Sequence, residues 1–201
     1  MDLYELIIDD SEDLGVDFIA LVETPAIKSN WIAFNKQEVK QQFKIQDEEK
    51  RLVSGYLMKA DLPIIRITAS GESFHVVFKK DTIFKIVCKY MENGFNANVN
   101  LNHEKETLAD GVFLIESRII DDKRHSFAPE GFEDAPNGSW WGTMYVRNEK
   151  IWQEIKKGVF KGFSVEGNFL QSRNPIDPNK EAVEKIEQLI KDFEKSYPQK
   201  S

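Results

Sequence analysis

Apolar residues fall in short bursts along this chain. Most alternate with polar residues, as strands do, and only a few segments carry the three-to-four-residue spacing of a helix. Leu3–Ile8 reads as a strand and Asp9–Asp13 as an acidic turn. Phe18–Val22 is a second apolar strand, stopped by Pro25, and Trp31–Phe34 a shorter third. Gln37–Gln42 is polar, a linker or a short helix. Phe43–Ile45, Leu52–Met58, Ile64–Thr68 and Ser73–Lys79 read as strands, with Ser70-Gly71 as the turn between the last two. Asp81 is placed to cap a helix with apolar positions Ile83, Phe84, Val87, Cys88 and Met91, and Gly94 ends it. Cys88 lies on that stripe and reads as core.

Val99–His103 and Val112–Ile120 read as strands joined by a polar loop, and Trp140–Val146 as another. Glu149–Lys157 is a short helix with Trp152, Ile155 and Val159 along one side. A strand through Lys161–Gly167 follows. Arg173–Asn179 holds two prolines and reads as a linker. An amphipathic helix from Lys180 to about Lys195 closes the chain, with Ala182, Val183, Ile186, Leu189, Ile190 and Phe193 as its apolar positions. Many short strands, few helices and no βαβ alternation predict an α+β, mostly β fold: an antiparallel barrel or sheet decorated by helices. The predicted division is a domain over 1–172 and a linker with helix over 173–201.

Composition narrows the function classes. A chain of 201 residues, 41% hydrophobic and 30% charged, suits a soluble globular domain with an arm. A net charge of -7 argues against nucleic acid or an acidic membrane as partner. One cysteine leaves no intramolecular disulfide, which fits a reducing compartment. Met1–Ile8 has no basic n-region, and no apolar run approaches the ~20 residues of a membrane span, so a cytoplasmic location is expected. One cysteine and three scattered histidines give no metal-ligand spacing, and no glycine-rich phosphate loop precedes a helix. No metal or cofactor is expected.

The segment Lys161-Gly162-Phe163-Ser164-Val165-Glu166-Gly167 carries the candidate chemistry. Phe163 and Val165 point one way along the strand, Ser164 and Glu166 the other, and the glycines leave room for another chain to come close. Ser164 reads as a nucleophile or as an ordinary strand serine. A nucleophilic serine needs a base, and histidine is the usual one. His103 ends the apolar face of Val99 and Leu101, where strand meets loop; it reads as a base or as a half-buried structural histidine. His75 reads as structural and His125 as solvated. Asp17, Glu116 and Glu166 are the candidates for orienting the base, and Glu116 shares a predicted strand face with Val112 and Leu114. Trp140-Trp141, between Gly138 and Gly142, offers an aromatic binding surface or core packing.

Taken together, Gly162-Phe163-Ser164-Val165-Glu166-Gly167, Asn100-Leu101-Asn102-His103 and Ile19-Ala20-Leu21-Val22-Glu23-Thr24-Pro25-Ala26-Ile27 resemble the serine proteases of tailed phages and prophages. These look like capsid maturation (prohead) proteases, similar in fold to the herpesvirus assemblin. The resemblance implies a closed antiparallel β-barrel ringed by helices, with Ser164 as nucleophile, His103 as general base and backbone N–H groups on the oxyanion. It implies an endopeptidase inside the immature phage capsid, in the host cytoplasm, that cleaves scaffold or the arm of the major capsid protein, and itself. A homodimer suits it, as does a terminal helix that is either a scaffold-like arm or packed on the barrel. One departure stands out. The family carries a further strand after the serine strand, with an acidic residue before a Pro-Ala pair; here the Pro-Ala strand is at the front. A permuted barrel is therefore expected, in which Asp17 orients His103, with Glu116 as the alternative. The competing expectation is a catalytically inactive barrel with a structural or scaffolding role in the virion.

Overall fold

Alternation places one face of nearly every strand in a common apolar core, and that core organises the elements. The computed structural model describes residues 2–9, 14–23, 43–67, 70–104 and 108–172. In chain order the strands are β1 (Leu3–Ile7), β2 (Gly15–Val22), β3 (Phe43–Asp47), β4 (Leu52–Met58), β5 (Ile64–Ile67), β6 (Ser73–Phe78), β7 (Val99–Leu101), β8 (Val112–Ile119), β9 (Trp140–Val146), β10 (Gly162–Asn168) and β11 (Leu170–Gln171). The helices are α1 (Lys80–Glu92) and α2 (Glu149–Lys156). The strand Trp31–Phe34, the segment Gln37–Gln42, the linker after Arg173 and the terminal helix predicted from the sequence lie outside the described residues.

Among the described residues the fold is mostly β with two α-helices, and the closed barrel is not what forms. The strands make three sheets, ordered β11-β1-β6-β5, β10-β2-β7 and β3-β4-β9-β8, and among the described residues none of them closes on itself. Nor is the pairing purely antiparallel: β1 runs parallel to β6, and β2 runs parallel to β7. Alternation fixes which face of a strand is buried, but not which neighbour it pairs with. Here the edge strands β10 and β5 line an open groove instead of pairing, and that leaves the sheets open.

One core serves all three sheets. Ile19 and Leu21 of β2, Val99 of β7 and Phe163 of β10 pack with Phe43 of β3, Val53 and Leu57 of β4, and Trp140 and Met144 of β9. Helix α1 adds Ile83, Ile86 and Tyr90; α2 adds Ile151, Trp152 and Ile155. Asn148 caps α2, its side-chain oxygen accepting from the Ile151 N–H at 3.2 Å. Helix α1 departs from the sequence reading. Lys79 occupies its cap position, and Asp81 lies in the first turn, where its charge suits the helix dipole. The buried stripe is Thr82, Ile83, Ile86 and Tyr90, so Phe84 and Met91 are exposed and Cys88 is half-buried. The sequence offers two overlapping apolar stripes, and packing of Tyr90 against Trp140, with ring centroids 5.2 Å apart, selects one. Among the described residues no helix is long and apolar enough to cross a membrane.

The ladder between β10 and β2 shifts register between Glu166 and Gly167, which pair with Phe18 and Val16 and leave Asp17 as the extra residue of β2. A Cβ on Gly167 would overlap the Gly15 carbonyl oxygen and sit 2.8 Å from Val16 Cα, so the close approach anticipated beside this glycine is made by β2 itself. Backbone cannot yield as a side chain can. Gly167→Ala is expected to destabilise the protein by roughly 2–3 kcal/mol, the upper part of the overpacking range, measured as the midpoint of urea unfolding.

Candidate active site

The site grows from the register of the three-stranded sheet. Strand β10 pairs antiparallel with β2, matching Ser164 to Ala20, Phe163 to Leu21 and Val165 to Ile19. Strand β7 pairs parallel on the other side of β2, matching Asn100 to Ala20. Residues matched across a ladder share a face. Ser164, Ala20 and Asn100 therefore form one row across the sheet, and Phe163, Leu21 and Leu101 another on the reverse. The reverse face is held by the core, where Phe163 is 1% exposed and its ring lies 5.2 Å from that of Phe43. This fixes Ser164, 7% exposed, on the opposite face. Ala20 is the smallest side chain that could separate Ser164 from Asn100. It leaves the space between two strands, about 10 Å from edge to edge of the row, open to longer side chains from either side.

His103 reaches this face by leaving the strand. The sequence pattern continues β7 to His103 on the face of Val99 and Leu101, but the strand ends at Leu101. Asn102 and His103 both take left-handed backbone, with φ of 50° and 66°. The turn is secured by the Asn102 N–H donating to the Leu21 carbonyl at 2.9 Å and the Glu104 N–H donating to the Leu101 carbonyl at 3.0 Å. Asn102 Oδ1 also accepts from the Glu23 N–H at 3.2 Å. Asparagine and histidine are among the side chains that tolerate this conformation best. The turn sets His103 Nδ1 3.0 Å from Glu166 Oε1.

Glu166 projects from β10 on the face of Ser164. Its Oε1 also accepts from Asn100 Nδ2 at 2.5 Å. The carboxylate is 13% exposed and the imidazole 43%. A carboxylate only accepts, so a neutral His103 carries its proton on Nδ1 and leaves a lone pair on Nε2. Among the described residues no hydrogen bond links His103 to Ser164, and none occupies the Ser164 hydroxyl. Catalytic contacts of this kind often close only around a bound substrate. Asn100 is 0% exposed, and its Oδ1 is buried without a partner. The arrangement is a serine, a histidine with one free ring nitrogen, and a carboxylate that orients it, with an amide holding the carboxylate.

Among the described residues the other candidates make no side-chain hydrogen bond or ion pair with this set. Asp17 is the extra residue of β2 at a register shift, since Glu166 and Gly167 pair with Phe18 and Val16. Its carbonyl accepts from Asn98 Nδ2 at 3.1 Å, and the carboxylate placed on His103 is that of Glu166. Glu116 is exposed, because a register shift between Leu114 and Glu116 breaks the alternation that would have buried it with Val112 and Leu114. His75 lies within β6. His125 sits in a left-handed turn against the Phe127 ring, while the neighbouring Ser126 hydroxyl donates to the Ile119 carbonyl. Trp140 and Trp141 are both buried, Trp140 beside Tyr90 and Trp141 beside Tyr56 and Phe132, so they form no binding surface. Asn100 is a site residue that the sequence pattern did not single out. Its signal is a polar side chain at the centre of a short, otherwise apolar strand.

Two cavities lie along the free edge of β10. A narrow apolar one of about 60 Å³ includes Leu62, Ile64, Phe163, Ser164 and Val165 in its lining. A wider, open one of about 570 Å³ includes Asp17, Phe18, Glu166 and Gly167. Arg66 lines both.

Residues 38–171, two-thirds of the chain, match the family described as "Putative phage serine protease XkdF". Ser164, His103, Glu166, Asn100 and Arg66 fall inside the matched segment, and Asp17 falls before it. No curated protein and no solved structure matches the chain.

The Asn100 amide is a poor choice for stability alone. Replacing it by leucine removes a charge-assisted hydrogen bond but also removes an orphaned acceptor, and these terms are each worth roughly 1–3 kcal/mol. Asn100→Leu is therefore expected to unfold within about 1 kcal/mol of wild type in urea, the two terms nearly offsetting.

Proposed function

The chain belongs to the phage serine protease family, and from that premise we propose that it is a serine endopeptidase of capsid maturation, with Ser164 as nucleophile, His103 as general base and Glu166 as the orienting acid. The observation that carries this reading is the pairing of His103 Nδ1 with Glu166 Oε1 on the sheet face that bears Ser164. In this scheme Ser164 Oγ attacks the scissile carbonyl while His103 Nε2 takes the hydroxyl proton. The tetrahedral intermediate collapses, the peptide C–N bond breaks, and the imidazolium returns the proton to the leaving amine. Water, activated by the same nitrogen, then hydrolyses the acyl-serine ester. Glu166 holds the ring tautomer and stabilises the transient imidazolium. Asn100 keeps the carboxylate aimed at the ring.

The natural substrates in this reading are scaffold, the arm of the major capsid protein, and the enzyme itself, within the immature capsid in the host cytoplasm. The family match supports a phage protease; the place in assembly is our proposal.

Mass spectrometry of scaffold incubated with purified variants tests the assignment. Ser164→Ala and His103→Ala are expected to lose about 10⁴-fold or more in cleavage rate. Glu166→Gln should lose about 10²–10⁴-fold, because the amide can present the wrong partner to Nδ1. Asp17→Asn should cleave at the wild-type rate; a large loss there would make Asp17, and not Glu166, the orienting acid. Particle maturation that proceeds unchanged with Ser164→Ala would instead identify the chain as a structural virion component.

A further inference from the structure

Backbone parity shows what the free edge of β10 offers. In the middle strand β2, the Ile19 N–H donates to the Asn98 carbonyl at 3.0 Å, and the Leu21 carbonyl accepts from the Asn102 N–H at 2.9 Å. Both polar groups of one strand residue point to the same side. Ile19 and Leu21 thus serve β7, and Phe18, Ala20 and Val22 serve β10. Their partners Glu166, Ser164 and Gly162 spend their N–H and C=O groups on that ladder. Phe163 and Val165, on either side of Ser164, turn theirs outward to the open edge.

That edge does not face bulk solvent alone. Across the groove stands β5, itself an edge strand, with Ile64 lining the narrow pocket and Arg66 lining both cavities. Arg66 is exposed and donates only to the neighbouring Ile65 carbonyl, at 3.3 Å; among the described residues it has no carboxylate partner. Of the two carboxylates in the wider cavity, Glu166 is held by His103 and Asn100, and Asp17 belongs to β2 on the other wall. The β5 wall is therefore the cationic one. A charge on an edge strand also discourages unwanted pairing between molecules. That role does not require it to overlook a groove that ends at Ser164.

We propose that the substrate is an extended peptide that adds as a strand to the free edge of β10, pairing with Phe163 and Val165, and that Arg66 binds an acidic side chain of that peptide. Strand addition draws affinity from main-chain hydrogen bonds, and alternate side-chain positions supply specificity. It also fits the order across the sheet: His103 lies on the β7 side of Ser164, and the peptide arrives on the opposite side. Base, nucleophile and carbonyl then follow one another in a line. A guanidinium binds a carboxylate with paired hydrogen bonds, which gives selection as well as attraction. The role of the bound peptide rests on the endopeptidase reading, but its binding can be tested independently of chemistry.

The test uses the full chain carrying Ser164→Ala and fluorescein-labelled octapeptides of alanine and valine, with a single Glu, Gln or Lys stepped through each position. Fluorescence anisotropy reports affinity. At one position Glu is expected to bind roughly tenfold more tightly than Lys, about 1.4 kcal/mol. Arg66→Glu should reverse that order, and Arg66→Gln should abolish it, both with unchanged unfolding midpoints. N-methylation of alternate peptide nitrogens should weaken binding at one parity and spare it at the other. Binding with no Glu preference, a preference that survives Arg66→Glu, indifference to N-methylation, or no binding by any peptide would each overturn the proposal. The same peptides given to the chain with Ser164 intact separate the two readings. Glu-selective binding without cleavage would remove the endopeptidase and leave the groove; cleavage indifferent to Glu would do the reverse.

Discussion

The burial of Phe163 against Phe43 is the contact on which the site depends. A fully buried phenylalanine is worth several kcal/mol to the fold, far more than the orientation of any one polar side chain. Strand β10 therefore has one way to sit. With Phe163 committed to the core, the two-residue period commits Ser164 and Glu166 to the other face. The same reasoning holds for β2 through Ile19 and Leu21, and for β7 through Val99. Three strands, each fixed by its apolar residues, bring Ser164, Ala20 and Asn100 into one row.

The polar face of this sheet is arranged at some cost. Asn100 is wholly buried with one acceptor unpartnered, and a fold selected for stability alone would place an aliphatic side chain there. His103 sits in strained left-handed backbone at the end of a three-residue strand. Such local departures from the best choice concentrate where geometry serves chemistry. Here both act on one group, since Asn100 and His103 each place a hydrogen-bonding nitrogen on Glu166 Oε1.

The open edges have a matching logic. A closed barrel would spend the outward N–H and C=O groups of β10 on a neighbouring strand. Three open sheets around one core leave those groups facing a groove, with β5 as the opposite wall. At the register shift between Glu166 and Gly167, the absence of a side chain on Gly167 lets β2 pass close enough for the pairing to continue to Asn168. The serine strand is held firmly on one side and left available on the other.

Much of this was legible in the chain. Regular alternation located Leu52–Met58 and Trp140–Val146 to the residue, and the parity of Phe163, Ser164, Val165 and Glu166 follows from their order alone. The sequence also held Glu166 as a candidate partner for the base, beside Asp17 and Glu116. It could not choose among them, because the choice depends on strand neighbours and local irregularities that side-chain period does not encode. A register shift after Leu114 exposes Glu116, another makes Asp17 the extra residue of β2, and a turn of only two residues lifts His103 off its predicted strand and onto Glu166. Sequence by itself determined which side of each strand is apolar, since that is a local property of period and burial. Which strands lie side by side, whether their sheets close, and which carboxylate meets the imidazole were decided only by the tertiary structure, where the shared core fixes distances between segments far apart in the chain.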